Sequence, residues 1–158
     1  MGQTDTLEIR RAQPSEWDAA MELAFKVFLK YEAMDYGEKG IRSFAEFVTD
    51  DALKRMFLIG EYHLFVAFVQ GEMVGLISLR SGNHISLLFV DEKYHRKGIG
   101  KALVMCLQEY MLQNTKYEKI TVNASPYGVP FYHRIGFRDT GEETQKEGII
   151  YTPMEFFL

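Results

Sequence analysis

Apolar and polar positions alternate over Leu7 to Arg10, the period-two pattern of a short first strand. The period then changes. Pro14 and Ser15 precede Glu16-Trp17-Asp18, and Trp17, Met21, Ala24 and Phe28 follow at helical spacing, which predicts a helix ending near Lys30. Tyr31 to Ile41 mixes polar, aromatic and glycine residues and reads as a loop. Ser43-Phe-Ala-Glu46 has the capping-box form, so a second helix is expected from there to about Met56. Tyr62 to Val69 and Met73 to Arg80 are rich in aromatic and β-branched residues around a Gln70-Gly71-Glu72 turn, the pattern of a hairpin. Ser81-Gly82-Asn83 turns the chain again into the apolar run His84 to Val90, completing a three-stranded meander.

After Val90 a short basic turn, His95-Arg-Lys-Gly98-Ile-Gly100-Lys101, leads into Ile99, Ala102, Leu103, Cys106, Leu107 and Tyr110 at the 3.6 period of a helix with one buried stripe. A strand that breaks into a glycine-containing turn and enters a helix presents free backbone N–H groups to phosphate oxygens. Lys119 to Asn123 predicts a further strand. Val129 to Ile135 is a short helix with proline in its first turn, stopped by Gly136 as a left-handed cap. Phe137 to Thr140 and Ile149 to Phe156 are the last strands, joined by an acidic segment from Gly141 to Gly148 that reads as exposed. The expected architecture is α/β: a mixed, mostly antiparallel seven-stranded sheet with helices on both faces, in one domain spanning residues 1–158.

Composition narrows the function classes. The 22 acidic and 18 basic residues are interspersed and leave a net charge of −4, so no nucleic-acid partner is expected. No stretch approaches 18 uninterrupted apolar residues and the amino terminus lacks a leader pattern, so no membrane association is expected. One cysteine, Cys106, cannot form an intramolecular disulfide. A cytoplasmic location is therefore the expectation. His63 and His133 show no ligand spacing, and no metal is inferred. The apolar end, Met154 to Leu158, could finish an edge strand or pair with a second subunit, giving a possible homodimer.

Two glycine motifs can be set aside. Leu103 stands where a third glycine would be needed for a dinucleotide fingerprint, and the Walker spacing is absent. The turn His95-Arg-Lys-Gly98-Ile-Gly100 and the segment Asn123-Ala-Ser-Pro-Tyr-Gly-Val-Pro-Phe-Tyr132-His-Arg-Ile-Gly-Phe137 together resemble the Gcn5-related N-acetyltransferase superfamily. His95, where that family usually has Gln or Arg, and Glu92, where proline is common, depart from it.

The resemblance implies an acyltransferase using acetyl-CoA as cosubstrate, with direct attack by an amine on the thioester in a ternary complex. Backbone from His95 to Lys101 (His95, Arg96, Lys97, Gly98, Ile99, Gly100 and Lys101) would hold the pyrophosphate. Leu88, Phe89 and Val90 would pair with the pantetheine arm, with Asn123 and Ser125 on its other side and the Phe89 N–H facing the oxyanion. Tyr132 matches the family tyrosine that protonates the leaving sulfur, and His84 is the candidate base. Glu32 and Asp35 would bind the acceptor, a small-molecule or peptide amine. The alternative is a non-catalytic acyl-CoA-binding regulatory module. Plain readings stand beside these roles: His84 as a satisfied structural histidine, Leu88 to Val90 as strand core, Asn123 and Ser125 as turn formers.

Overall fold

The computed structural model describes residues 6–158. The segment 1–5, part of the amino terminus taken to lack a leader, lies outside the described residues. Eight strands occur among those described: β1 (Leu7–Arg11), β2 (His63–Val69), β3 (Glu72–Arg80), β4 (His84–Val90), β5 (Lys119–Ala124), β6 (Arg138–Asp139), β7 (Thr144–Lys146) and β8 (Ile149–Phe157). The sheet order is β1-β2-β3-β4-β5-β8-β6, with β7 paired to β8. All pairs are antiparallel except β4 with β5. The eighth strand is β7, inside the segment read as an exposed loop. Its two-residue connection to β8, Glu147-Gly148, has φ of 56° and 79°, the left-handed pair that lets two polar stretches close a hairpin. β6 also pairs Arg138 and Asp139 with Glu155 and Met154, so the expected free edge near the carboxy terminus is partly covered.

Helices α1 (Trp17–Tyr31), α2 (Glu38–Val48) and α3 (Asp51–Leu58) cover one face, and α4 (Ile99–Asn114) and α5 (Val129–Arg134) the other. Trp17, Ala20, Met21, Ala24, Val27 and Phe28 form the buried stripe of α1. The second helix differs from expectation. It begins at Glu38, not Ser43, and the chain breaks at Thr49-Asp50 before α3, whose N-terminus is capped by the Asp50 carboxylate accepting from Ala52 N–H at 2.8 Å. Ser43 lies mid-helix, where its hydroxyl donates to the Glu147 carbonyl at 3.3 Å. Gly40 and Gly148 meet backbone to backbone there; a Cβ on Gly40 would sit 2.5 Å from the Gly148 oxygen and 2.6 Å from Tyr36 Cβ. The β7–β8 hairpin is thereby seated on α2.

Two irregularities in the centre of the sheet shape its β4 edge. The register of β3 with β4 jumps from Ser78↔Leu87 to Leu79↔Ile85, so Ser86 is a bulge residue. Ile85 therefore faces the α4 side while Leu87 and Phe89 face α1, although a regular strand would put all three together. The buried Tyr62 hydroxyl bonds Ser78 Oγ at 2.7 Å and Ser86 Oγ at 3.0 Å, pinning the bulge. Beyond it, β4 and β5 pair only at His84↔Thr121 and Ile85↔Val122, then part.

Candidate active site

The parting of β4 from β5 opens a cavity of about 780 Å³. Its β4 wall is an unpaired strand edge. Asp91 N–H donates to Val74 O at 2.8 Å, which makes Phe89 with Leu76 and Leu87 with Ser78 the hydrogen-bonded pairs of the antiparallel ladder. The amides of Leu88 and Val90 consequently point away from β3, into the cleft. The Phe89 N–H, expected to face the oxyanion, is instead spent on β3, and the Phe89 ring packs edge-on against Phe44 at 5.7 Å. The bulge at Ser86 sets this parity, and no single-residue pattern announces it.

At the end of β4 the chain turns through the basic segment. Arg96 and Gly98 take left-handed φ values of 64° and 82°. The first bond of α4 is Ala102 N–H to Gly98 O, so the N–H groups of Ile99, Gly100 and Lys101 have no acceptor within the helix. No atom lies within 4 Å of a Cβ placed on Gly98; its left-handed backbone is what calls for glycine. A Cβ on Gly100 would meet the Phe131 ring at 3.3 Å, so that glycine serves helix packing. The off-pattern His95 has a function in the turn: its Nε2 donates to the Val90 carbonyl at 2.6 Å, and its ring stacks obliquely on Tyr31 at 4.8 Å. Glu92 ties the same turn to α1 through Lys30 at 3.1 Å and the Tyr31 hydroxyl at 3.2 Å.

Of the basic side chains, Arg96 and Lys101 line the cavity, whereas Lys97 lies over the Tyr94 ring at 5.4 Å and does not. Arg134, at the end of α5, lines it as well. Sequence reasoning overlooked Arg134; its signal was a cation two residues after Tyr132 in a helix stopped by glycine. Asn123 and Ser125 line the β5 side as expected.

Glu32, just after α1, and Tyr132, on α5, face each other across the cavity closely enough to interact electrostatically. Tyr132 is buried, and burial, reinforced by the Glu32 charge, holds its phenol well above the ordinary range. Burial pushes the Glu32 carboxyl up to about 7, against the pull of the Ser125 hydroxyl and with help from the Asp35 charge. Ser125 Oγ accepts from Gly128 N–H at 3.1 Å, which leaves its proton free for the carboxylate. Tyr36, also overlooked in the sequence, is buried here, its phenol raised by burial and by Glu32.

Two expected residues are elsewhere. His84 sits at the closed end, where β4 still pairs with β5, with Nδ1 2.8 Å from Thr121 Oγ1; it does not line the cavity, and burial, then Arg80, lowers it to about 4. Asp35 is exposed on a short 3₁₀ turn and acts on the site only through its charge. The described residues contain no group of three or more His, Cys, Asp or Glu placed to hold a metal ion, and no helix among them is long and apolar enough to cross a membrane.

These features suit a long ligand that carries phosphate: cations and free N–H groups at one end, an unpaired strand edge in the middle, and an acid with a tyrosine at the other. Comparison with known proteins agrees. A family model for the acetyltransferase (GNAT) domain matches residues 32–158. The uncharacterized N-acetyltransferase YafP of Escherichia coli is 25% identical over 139 residues, 88% of this chain and 86% of that protein. A glucosamine 6-phosphate N-acetyltransferase of Trypanosoma brucei brucei is 36% identical over 78 residues, 43% of this chain and 52% of that protein. Among solved structures, a GCN5-related N-acetyltransferase from Rhodopseudomonas palustris superposes with a TM-score of 0.83 at 22% identity, each chain covered fully. The PaiA N-acetyltransferase of Thermoplasma acidophilum, solved with coenzyme A, gives 0.78 at 22% identity over 97% of this chain and 99% of that one. Spermidine N-acetyltransferase of Vibrio cholerae, solved with CoA and spermine, gives 0.70 at 17% identity over 96% and 95%. With the family match spanning most of its length and the fold in agreement, the chain belongs to the GCN5-related N-acetyltransferase (GNAT) family.

Proposed function

We propose that this protein transfers the acetyl group of acetyl-CoA to an amine by direct attack in a ternary complex, as one catalytic unit. The observation that carries the reading is the split edge of β4, with its free Leu88 and Val90 amides between a cationic turn and the Glu32–Tyr132 pair. Bound there, acetyl-CoA supplies an acyl carbon activated as a thioester.

The residues divide the work by position. The N–H groups of Ile99, Gly100 and Lys101 and the side chains of Arg96, Lys101 and Arg134 hold phosphate charge. The Leu88 and Val90 amides orient the arm and offer the donors first assigned to Phe89. Glu32, with its carboxyl near 7, takes the proton from the incoming ammonium and replaces His84 as the base. Atoms balance: a nitrogen–carbon bond forms, a carbon–sulfur bond breaks, one proton of the ammonium goes to Glu32, and a second, leaving nitrogen as the intermediate collapses, ends on the CoA sulfur, which departs as a thiol. Tyr132 is positioned to serve the departing sulfur. With ordinary values of about 10 for a phenol and about 8.5 for a thiol, donating its proton is uphill by roughly 2 kcal/mol, and burial makes it more so. Tyr132 therefore stabilises the thiolate chiefly as a hydrogen-bond donor. The relatives named for spermidine and glucosamine 6-phosphate support an amine acceptor in general. The test is release of free thiol from acetyl-CoA with a panel of amines. Amine-dependent release with a matching acetylated product is expected; CoA binding without release from any amine would leave a non-catalytic binding module.

A further inference from the structure

We infer that the acceptor is a primary amine carrying a single positive charge on an apolar, ring-sized body, neither a polyamine nor an anionic amino sugar. This rests on the acetyltransferase reading above and deepens it. The acceptor end of the cavity is roofed by α1 and α2, and its wall is aromatic. Phe28 and Phe44 stack at 4.0 Å with an interplanar angle of 5°; Tyr36 lies 5.4 Å beyond Phe28, and Phe89 meets Phe44 edge-on. Ile149 closes the wall from β8, held in place by the Gly148 contact with Gly40.

The charges are as informative as the rings. Glu32 is the one acid among the described residues that line the cavity, while Asp35 is exposed outside them. The lining cations are Arg96 of the turn after β4, Lys101 in the first turn of α4 and Arg134 of α5, and the elements that carry the aromatic wall, α1, α2 and β4, contribute none. One carboxylate compensates one ammonium. A second ammonium lying against Phe28 and Phe44 would lose its water with no partner, and a phosphate or carboxylate there would meet Glu32 and no cation. A ring or branched apolar body instead gains contact with the half-buried Phe44 and Ile149, on a wall fixed behind them by the buried Phe28, Tyr36 and Phe89. Only the attacking nitrogen needs the polar end.

The experiment compares phenethylamine, spermidine and glucosamine 6-phosphate with the full chain in two readouts: kcat/KM for thiol release from acetyl-CoA, and calorimetric Kd for each amine with the CoA-loaded protein. Phenethylamine is expected to exceed both others at least tenfold in each. Phe44→Ala is expected to raise KM for phenethylamine about tenfold, more than it lowers kcat, with CoA affinity reporting that the variant is folded. Equal or better use of spermidine or glucosamine 6-phosphate overturns the inference while leaving the transferase reading intact. Absence of thiol release from every amine sinks the transferase reading instead, and calorimetry then still decides the pocket: tighter binding of phenethylamine supports it, and tighter binding of spermidine or the sugar refutes it. Should Phe44→Ala not fold, the wild-type comparison decides alone.

Discussion

Replacing Glu32 by Gln is expected to stabilise the protein and disable it together, with a pH signature that separates the two effects. The carboxyl is raised from about 4.5 to about 7 by burial. A carboxyl raised on folding binds its proton more tightly in the native state, so stability is fully present below about pH 4.5 and is lost as pH climbs toward 7. At 1.36 kcal/mol per unit, the ionised group costs the fold roughly 1 kcal/mol at pH 5 and roughly 3 kcal/mol at pH 8. Glu32→Gln removes that cost. Urea unfolding of wild type and variant at pH 5 and pH 8 should therefore show a difference that grows by about 2 kcal/mol between the two, in favour of the variant. The same substitution should lower kcat/KM for the amine by about 10²-fold or more and abolish the limb of the pH–rate profile near 7. A stability difference independent of pH, or a variant retaining that limb, would refute the assignment of Glu32 as a desolvated base.

Other substitutions probe the frame around the site. Gly40→Ala forces its Cβ against the Gly148 oxygen and Tyr36, and a loss of about 1–3 kcal/mol in urea unfolding is expected, whereas Gly37→Ala, with nothing within 4 Å, should be close to neutral. Tyr62→Phe leaves the buried Ser78 hydroxyl and the bulge residue Ser86 without their shared partner; about 1–3 kcal/mol of stability should be lost, with a rise in KM for acetyl-CoA as the β4 edge loosens. Arg134→Ala should weaken CoA binding several-fold by calorimetry and flatten its salt dependence, while Lys97→Ala, whose amine lies over Tyr94, should change affinity less.

Much of this fold is written locally. Runs rich in aromatic and β-branched residues marked β2 and β3 and an apolar run marked β4, the α1 stripe from Trp17 to Phe28 is where its spacing puts it, and Gly136 takes the left-handed φ of 102° that a helix stop needs. What escaped the sequence depends on contacts between distant segments. Ser43-x-x-Glu46 has the letters of a capping box, but α2 starts earlier because Glu38 to Ile41 continue into a helix held down by a hairpin more than a hundred residues away. The short β7 is polar and fully exposed, so it exists through pairing with β8 and a favourable Glu147-Gly148 turn, not through burial. The Phe89 amide was misassigned because one bulge residue inverts which amides face the cleft. The surroundings of Glu32 and His84 escaped the sequence for the same kind of reason: only the packed structure shows one interacting with Ser125 and Tyr132 and the other beside Thr121.

The central claim is that acetyl-CoA lies along the unpaired edge of β4, and amide hydrogen exchange followed by NMR addresses it residue by residue. On adding CoA, the amides of Leu88 and Val90 should slow markedly, together with Ile99, Gly100 and Lys101, while Phe89, already bonded into β3, changes little. Slowing of Phe89 with Leu88 and Val90 unaffected, or no change along β4 at saturating CoA, would contradict it.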